Sequence, residues 1–137
     1  MILPPYADLL GITLEPGITE SDAPVLAMPF GADVIGRPGF VHGGALAGLL
    51  EMAAIVALKH ALATEDRGDA RIKPINVTVD FMRGGREKVT RAQGHVSRLG
   101  TRIANVETIA WQDDRERPVA AARLNFLLAN TDQPAAS

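Results

Sequence analysis

Glu51 is the only charged residue between Arg37 and Lys59, and it stands inside a run of apolar residues. Taking a carboxylate out of water is costly unless it is paired or opens onto a cavity. Two roles fit such an acid. It can be a structural carboxylate satisfied by a backbone N–H or an arginine, or a nucleophile or general base that faces a substrate. A desolvated acid close to a glycine-rich loop is an arrangement typical of functional sites, so Glu51 is read as the reacting group. The glycine-rich loop is residues 36–44, and it ends in His42-Gly43-Gly44. If a helix begins there, its first N–H groups lack internal partners and carry partial positive charge. Glycine lets a ligand reach that backbone. Fixed N–H donors aimed at an oxygen that gains charge form an oxyanion hole, which is the role expected of Gly43. The plainer alternative is a loop-to-helix junction whose glycines only permit a sharp turn. His42 either moves a proton near neutral pH or hydrogen-bonds the loop and fixes where the Gly43 N–H points. The supporting role is the one expected.

A third signal is charge. From Arg83 to Arg102 there are six basic residues (Arg83, Arg86, Lys88, Arg91, Arg98 and Arg102) and one acid, Glu87, in a chain whose net charge is −2. This local excess suits a ligand with several phosphates, or else a set of solvated strand faces. His60 and His95 read as solvated. Cysteine is absent, which removes disulfide frameworks, thiol nucleophiles and Fe–S centres. No His/Asp/Glu spacing has the pattern of a metal site, and neither metal nor cofactor is expected. The balanced charge and six aromatic residues make nucleic acid a poor candidate partner.

The elements that must hold these groups follow from hydrophobic period. At 137 residues, 47% of them apolar, the chain suits one domain spanning 1–137, with residues 130–137 a frayed tail. A helical turn over residues 6–10 follows Pro4-Pro5. Short strands are expected at 12–15 and 25–30. From Ala45 to about Ala63 there is no polar face, so a helix here must be wrapped on most sides. Its apolar run, taken as 45–58, falls short of the roughly 20 residues that span a bilayer. The amino terminus lacks a basic region and is broken by prolines, unlike a signal peptide. A soluble, cytoplasmic protein without a membrane partner is the expectation. After a charged loop at 64–71 the period becomes two. Ile75, Val77, Val79 and Phe81 alternate with Asn76, Thr78 and Asp80, as in a strand with one wet face. Three more strands follow at 89–97, 102–112 and 119–128. One helix followed by serial strands implies an α+β fold, an antiparallel sheet against a greasy helix. Exposed sheet edges favour pairing with a second copy.

Spacing bears on assembly. Glu51 lies seven residues beyond Gly44, or about 10 Å along a helix. A carbonyl must meet its donor and its attacking group within roughly 3 Å of each. Within one chain the two groups are awkwardly far apart. Two antiparallel helices across a two-fold axis would set Gly43 of one chain opposite Glu51 of the other, so a site shared across a dimer is expected.

The residues Val41-His42-Gly43-Gly44-Ala45, with Glu51 seven positions after Gly44, resemble the signature of hotdog-fold acyl-CoA thioesterases of the phenylacetate-pathway branch. The stretch Val77-Thr78-Val79-Asp80-Phe81-Met82-Arg83 is similar to that family's strand after the central helix, and Leu99-Gly100-Thr101-Arg102 to its turn before the next strand. The resemblance runs from about Leu9 to Leu128. It implies a hotdog fold, with a long antiparallel sheet wrapped around one central helix, paired edge to edge as a homodimer and often as a dimer of dimers. It also implies hydrolysis of a fatty or aromatic acyl-CoA. Glu51 would be general base or nucleophile and the Gly43 N–H the oxyanion donor, with His42 beside them. Gly44, Asn76, Thr78, Arg83, Gly100, Thr101 and Arg102 would contact substrate, the arginines meeting the CoA phosphates. The chain departs from the pattern in three places. Gly36 stands where several members hold the attacking water with Asn. Pro74 stands near the position of a Ser or Thr. Gly84 follows Arg83 where Pro is common. Two other readings stay open: a non-catalytic acyl-CoA-binding hotdog protein, and a hotdog dehydratase or hydratase.

Overall fold

In the computed structural model, residues 1–17, 19 and 21–129 are described. Pro4 and Pro5 start the first helix, α1 (Pro5–Leu9), with proline where a missing N–H does no harm. Two short strands follow, β1 (Thr13–Glu15) and β2 (Val25–Met28), and then a 3-10 turn at Ala32–Val34 that the sequence did not suggest. The central helix α2 (Gly43–Thr64) leads into β3 (Arg71–Phe81), β4 (Thr90–Leu99), β5 (Ile103–Trp111) and β6 (Ala120–Ala129). All six strands form one antiparallel sheet in the order β1-β2-β4-β5-β6-β3. The long β3 therefore forms one edge and the short β1 the other.

The sheet wraps α2. Leu49, Leu50, Ala54 and Leu58 are fully buried against the inward-facing Ala92, Ala104, Ala110, Ala120 and Phe126. So many small residues on the strands let the helix come close. A Cβ on Gly94 of β4 would lie 2.7 Å from Ala57 Cβ and 2.8 Å from the Ala53 carbonyl oxygen. The helix runs past Lys59 and His60 to Thr64, because Ala61, Leu62 and Ala63 restore the apolar pattern. At 22 residues and a mean hydropathy of 1.6 it is long and apolar enough to cross a bilayer, which corrects the length expected from sequence. Here it is the core of the domain.

The expected strand at 75–81 begins four residues earlier and passes through Pro74, with a bulge between Pro74 and Asn76. An edge strand tolerates proline because one side of its backbone has no ladder to complete. Ile72 and Val79 pack on the core. Ile75, Val77 and Phe81 stay 53%, 49% and 58% exposed, so the face expected to be dry is only partly covered within one chain. Opposite them, on the outer face, Asn125 of β6 donates to Asn76 Oδ1 at 2.9 Å and accepts from Asn105 of β5. This row of amides ties β5, β6 and β3 in register.

Candidate active site

The loop before α2 is built by a tight turn. Phe40 N–H bonds the Arg37 carbonyl at 3.0 Å, with Pro38 and Gly39 in the centre and Gly39 at φ +84°. Proline then left-handed glycine is the pair a type II turn requires. His42 N–H donates to the Val34 carbonyl at 2.7 Å, and Val41 N–H to the Gly85 carbonyl at 2.9 Å. These bonds fix the head of α2. His42 is its N-cap, and the Nδ1 atom accepts from Gly44 N–H at 2.8 Å. The Gly43 N–H has no hydrogen-bond partner among the described residues. The expectation that His42 directs this backbone matches the geometry.

Gly43 lines a cleft of about 440 Å³ together with His42, Leu46, Phe81, Arg37 and Arg83 among others. The Phe81 ring, at the end of β3, would stand 3.5 Å from a Cβ on Gly43. Phe40 forms part of the rim. The Arg37 guanidinium lies 4.0 Å from the centre of its ring and that of Arg86 lies 4.4 Å from it. Cation–π contacts of this kind hold guanidinium groups over an aromatic face. Arg37 and Arg83 line the cleft itself, and Arg86 reaches its rim only through Phe40. The sequence reading missed Arg37 and Phe40. The Pro-Gly turn was the available signal, and the convergence with Arg86 depends on tertiary structure.

Gly36 shows why a side chain is absent there. A Cβ would lie 3.0 Å from His42 Cα and 3.3 Å from His42 N. The loop closes so tightly on the head of α2 that only glycine fits without a shift.

Glu51 is half-buried, and its carboxylate has no hydrogen bond or ion pair among the described residues. It is less buried than its neighbours Leu50 and Met52. Gly43, Ala47 and Glu51, spaced by four, share the one strip of the N-terminal half of α2 that the sheet leaves open. Glu51 lies about 12 Å from Gly43 along that strip, so one chain does not bring them together.

The basic run is scattered along the length of β4. Arg83 and Arg86 stand at the Gly43 end. Gly100, Thr101 and Arg102 form the turn at the other end, where the Thr101 carbonyl accepts from Arg67 and the Arg102 carbonyl from Leu128 N–H. Arg91 is tied to Glu15 at 2.8 Å, and Lys88 to Asp113 at 2.8 Å. Hydrogen bonding to Arg91 and then its charge hold the Glu15 carboxyl below the usual carboxylate range. The run is therefore not one continuous patch. Asn76 and Thr78 project from the sheet face turned away from α2, beside Asn125 and Arg123, and do not meet the Gly43 cleft. No group of three or more metal-ligating side chains occurs among the described residues.

The sequence profile of the thioesterase superfamily matches residues 38–119, which contain most of the loop, α2 and strands β3 to β5. The chain belongs to the thioesterase superfamily. A protein of known structure from Chromobacterium violaceum is 32% identical, over 93% of this chain and 85% of its own, with a TM-score of 0.71. A thioesterase from Haemophilus influenzae superimposes with a TM-score of 0.80 at 19% identity, over 96% of this chain and 87% of that one. A phenylacetic acid degradation-related protein from Ralstonia eutropha gives 0.74 at 23% identity, over 93% and 92%. At these lower identities the likeness is one of fold, and the family's hotdog arrangement of one helix within an antiparallel sheet is what the chain adopts. No functionally curated protein matches the chain.

Proposed function

We propose that the protein is an acyl-CoA thioesterase whose site is shared between two protomers. The observation that carries this reading is the pair of unsatisfied groups on the open strip of α2: the Gly43 N–H at the helix head and the Glu51 carboxylate two turns further on. Pairing two copies through the uncovered edge of β3, with their helices antiparallel, would hide Val77 and Phe81. It would also set Gly43 of one protomer against Glu51 of the partner subunit. The thioester carbonyl oxygen accepts from the Gly43 N–H, where the helix dipole adds positive potential. Glu51 takes a proton from water as the water oxygen bonds to the carbonyl carbon. The tetrahedral intermediate collapses, the carbon–sulfur bond breaks, and the CoA thiolate recovers the proton. Direct addition of Glu51 to the same carbon is the covalent variant, distinguished by label from isotopic water appearing in the enzyme after one turnover. Arg37 and Arg83 in the cleft lining, with Arg86 against Phe40 at its rim, suit the phosphates of CoA.

The test is thiol release from short, long and aromatic acyl-CoAs, run beside Glu51→Gln. Wild-type turnover with a loss of about a hundredfold or more in the variant is expected. Equal rates on every substrate turned over would remove Glu51 from the chemistry. A second reading, acyl-CoA binding without hydrolysis, rests on Gly36, where the close approach to His42 leaves no side chain to hold a water. Binding of CoA esters with no thiol released would establish it.

A further inference from the structure

Gly48 lies in the middle of α2, where glycine costs about 0.5–1 kcal/mol relative to alanine. The structure gives a reason for it. A Cβ on Gly48 would lie 2.7 Å from Tyr6 Cε2, 3.1 Å from Tyr6 Oη and 3.1 Å from Leu10 Cδ1. The short helix α1 is therefore seated directly on the backbone of α2 at this point, with Leu10 5% exposed and the Tyr6 ring still 44% exposed. Tyr6 Oη has no hydrogen-bond partner among the described residues.

Gly48 and Glu51 are neighbours at i and i+3, with side-chain origins about 6 Å apart. Tyr6 Oη thus lies within roughly 9 Å of the start of the Glu51 side chain. The open strip has Gly43, Ala47 and Glu51 as its floor. Phe81 stands against it at Gly43, and Tyr6 borders it at Gly48. We propose that Tyr6 is the residue that sets acyl-group size, its ring standing over Gly48 as a wall of the trough beside Glu51. This rests on the thioesterase reading. An acyl group whose carbonyl is within reach of Glu51 must run along or across this strip. The small floor residues give it room, and the ring of the same protomer limits that room. Tyr6 is a specificity residue here and takes no part in proton transfer. The class of substrate it favours is an acyl group short enough to stop at the ring.

The experiment compares wild type, Tyr6→Ala and Tyr6→Phe on butyryl-, hexanoyl-, lauroyl- and palmitoyl-CoA, with dissociation constants for the matching non-hydrolysable thioether analogues. Tyr6→Ala is expected to raise the long-to-short ratio of kcat/KM by about tenfold or more, with the binding ratio moving the same way. Tyr6→Phe, which keeps the wall, retains the wild-type profile. A uniform change across all chain lengths in Tyr6→Ala, or a size shift in Tyr6→Phe equal to that in Tyr6→Ala, would overturn the proposal while leaving the thioesterase reading intact. If wild type releases no thiol, the thioesterase reading fails, and the analogue binding ratio still decides the role of Tyr6. Binding of no analogue by wild type overturns both.

Discussion

His42 Nδ1 accepts the Gly44 N–H at 2.8 Å, and in doing so it leaves the neighbouring Gly43 N–H as the free donor at the head of the central helix. The bond requires Nδ1 to be unprotonated. An N-cap lost to alanine costs about 1 kcal/mol, and asparagine is among the best replacements. His42→Ala is therefore expected to lower both stability and activity. His42→Asn should restore the melting temperature to within a degree or two of wild type, an interval of a few tenths of a kcal/mol. If His42 only orients the loop, the asparagine variant also recovers most of kcat. A stable but inactive His42→Asn protein would make the imidazole a proton carrier.

Gly43 offers a sharper test of the donor. Position 43 is the first residue of α2, where proline is well accepted, and His42 has φ −62° and ψ 135°, the backbone that proline demands of its predecessor. Gly43→Pro should fold normally and lose about a hundredfold to a thousandfold in kcat, as for one oxyanion-hole donor. Mixed with Glu51→Gln, it tests sharing. Each heterodimer regains one intact site if Gly43 and Glu51 come from different chains, so random reassortment should give about a quarter of wild-type activity. No recovery in verified heterodimers would place both groups in one chain.

Gly94 marks a close approach between helix and sheet. A methyl group there meets the Ala53 carbonyl oxygen at 2.8 Å, which is backbone and cannot swing aside. Gly94→Ala is expected to destabilise the fold by about 1–3 kcal/mol, the range for overpacking a filled core. Denaturant unfolding measures it, and an unchanged midpoint would show that α2 can lift from β4 freely.

The Glu15–Arg91 pair ties the short edge strand β1 to β4 across β2. The folded-state pKa of Glu15 is depressed, first by the hydrogen bond from Arg91. An acid depressed in this way stabilises the fold above its unfolded value, about 4.3, and loses that contribution as pH falls through the folded value. Glu15→Gln should therefore melt slightly below wild type at neutral pH, with the difference closing in acid. Both side chains are 39% exposed, so added salt should narrow the gap as well. A gap that widens in acid would contradict this account.

Much of this architecture was readable in the residues. The apolar run from Ala45 and the two-residue alternation after Ile75 named the helix and the sheet because burial imposes those periods. Glu51 stood out for the same reason, as one acid in an apolar stretch. Its half-exposure was not readable, because that depends on β3 leaving one strip of α2 uncovered. The arginines from 83 to 102 looked like one patch in sequence. They travel the length of β4, so Arg83 and Arg102 reach opposite ends and Arg91 is neutralised by Glu15. Asn76 and Thr78 were already on the polar beat of the alternation, and the structure turns that beat away from α2. Arg37, Phe40 and Arg86 meet only when two loops converge, which no local spacing encodes.

The asparagine row from Asn105 through Asn125 to Asn76 has a consequence for assembly. An edge strand held by uniform ladder bonds can slide along its neighbour, and a slide of one position reverses every side chain on it. Amide-to-amide bonds are made only when the three residues stand abreast, so they index β3 like a key in a keyway. If two copies pair through β3 as proposed, each offers its mate an outer strand in one fixed alignment. In that pairing, the spacing between a helix head on one side and a carboxylate on the other would be decided on the far surface of the sheet, before any second subunit arrives.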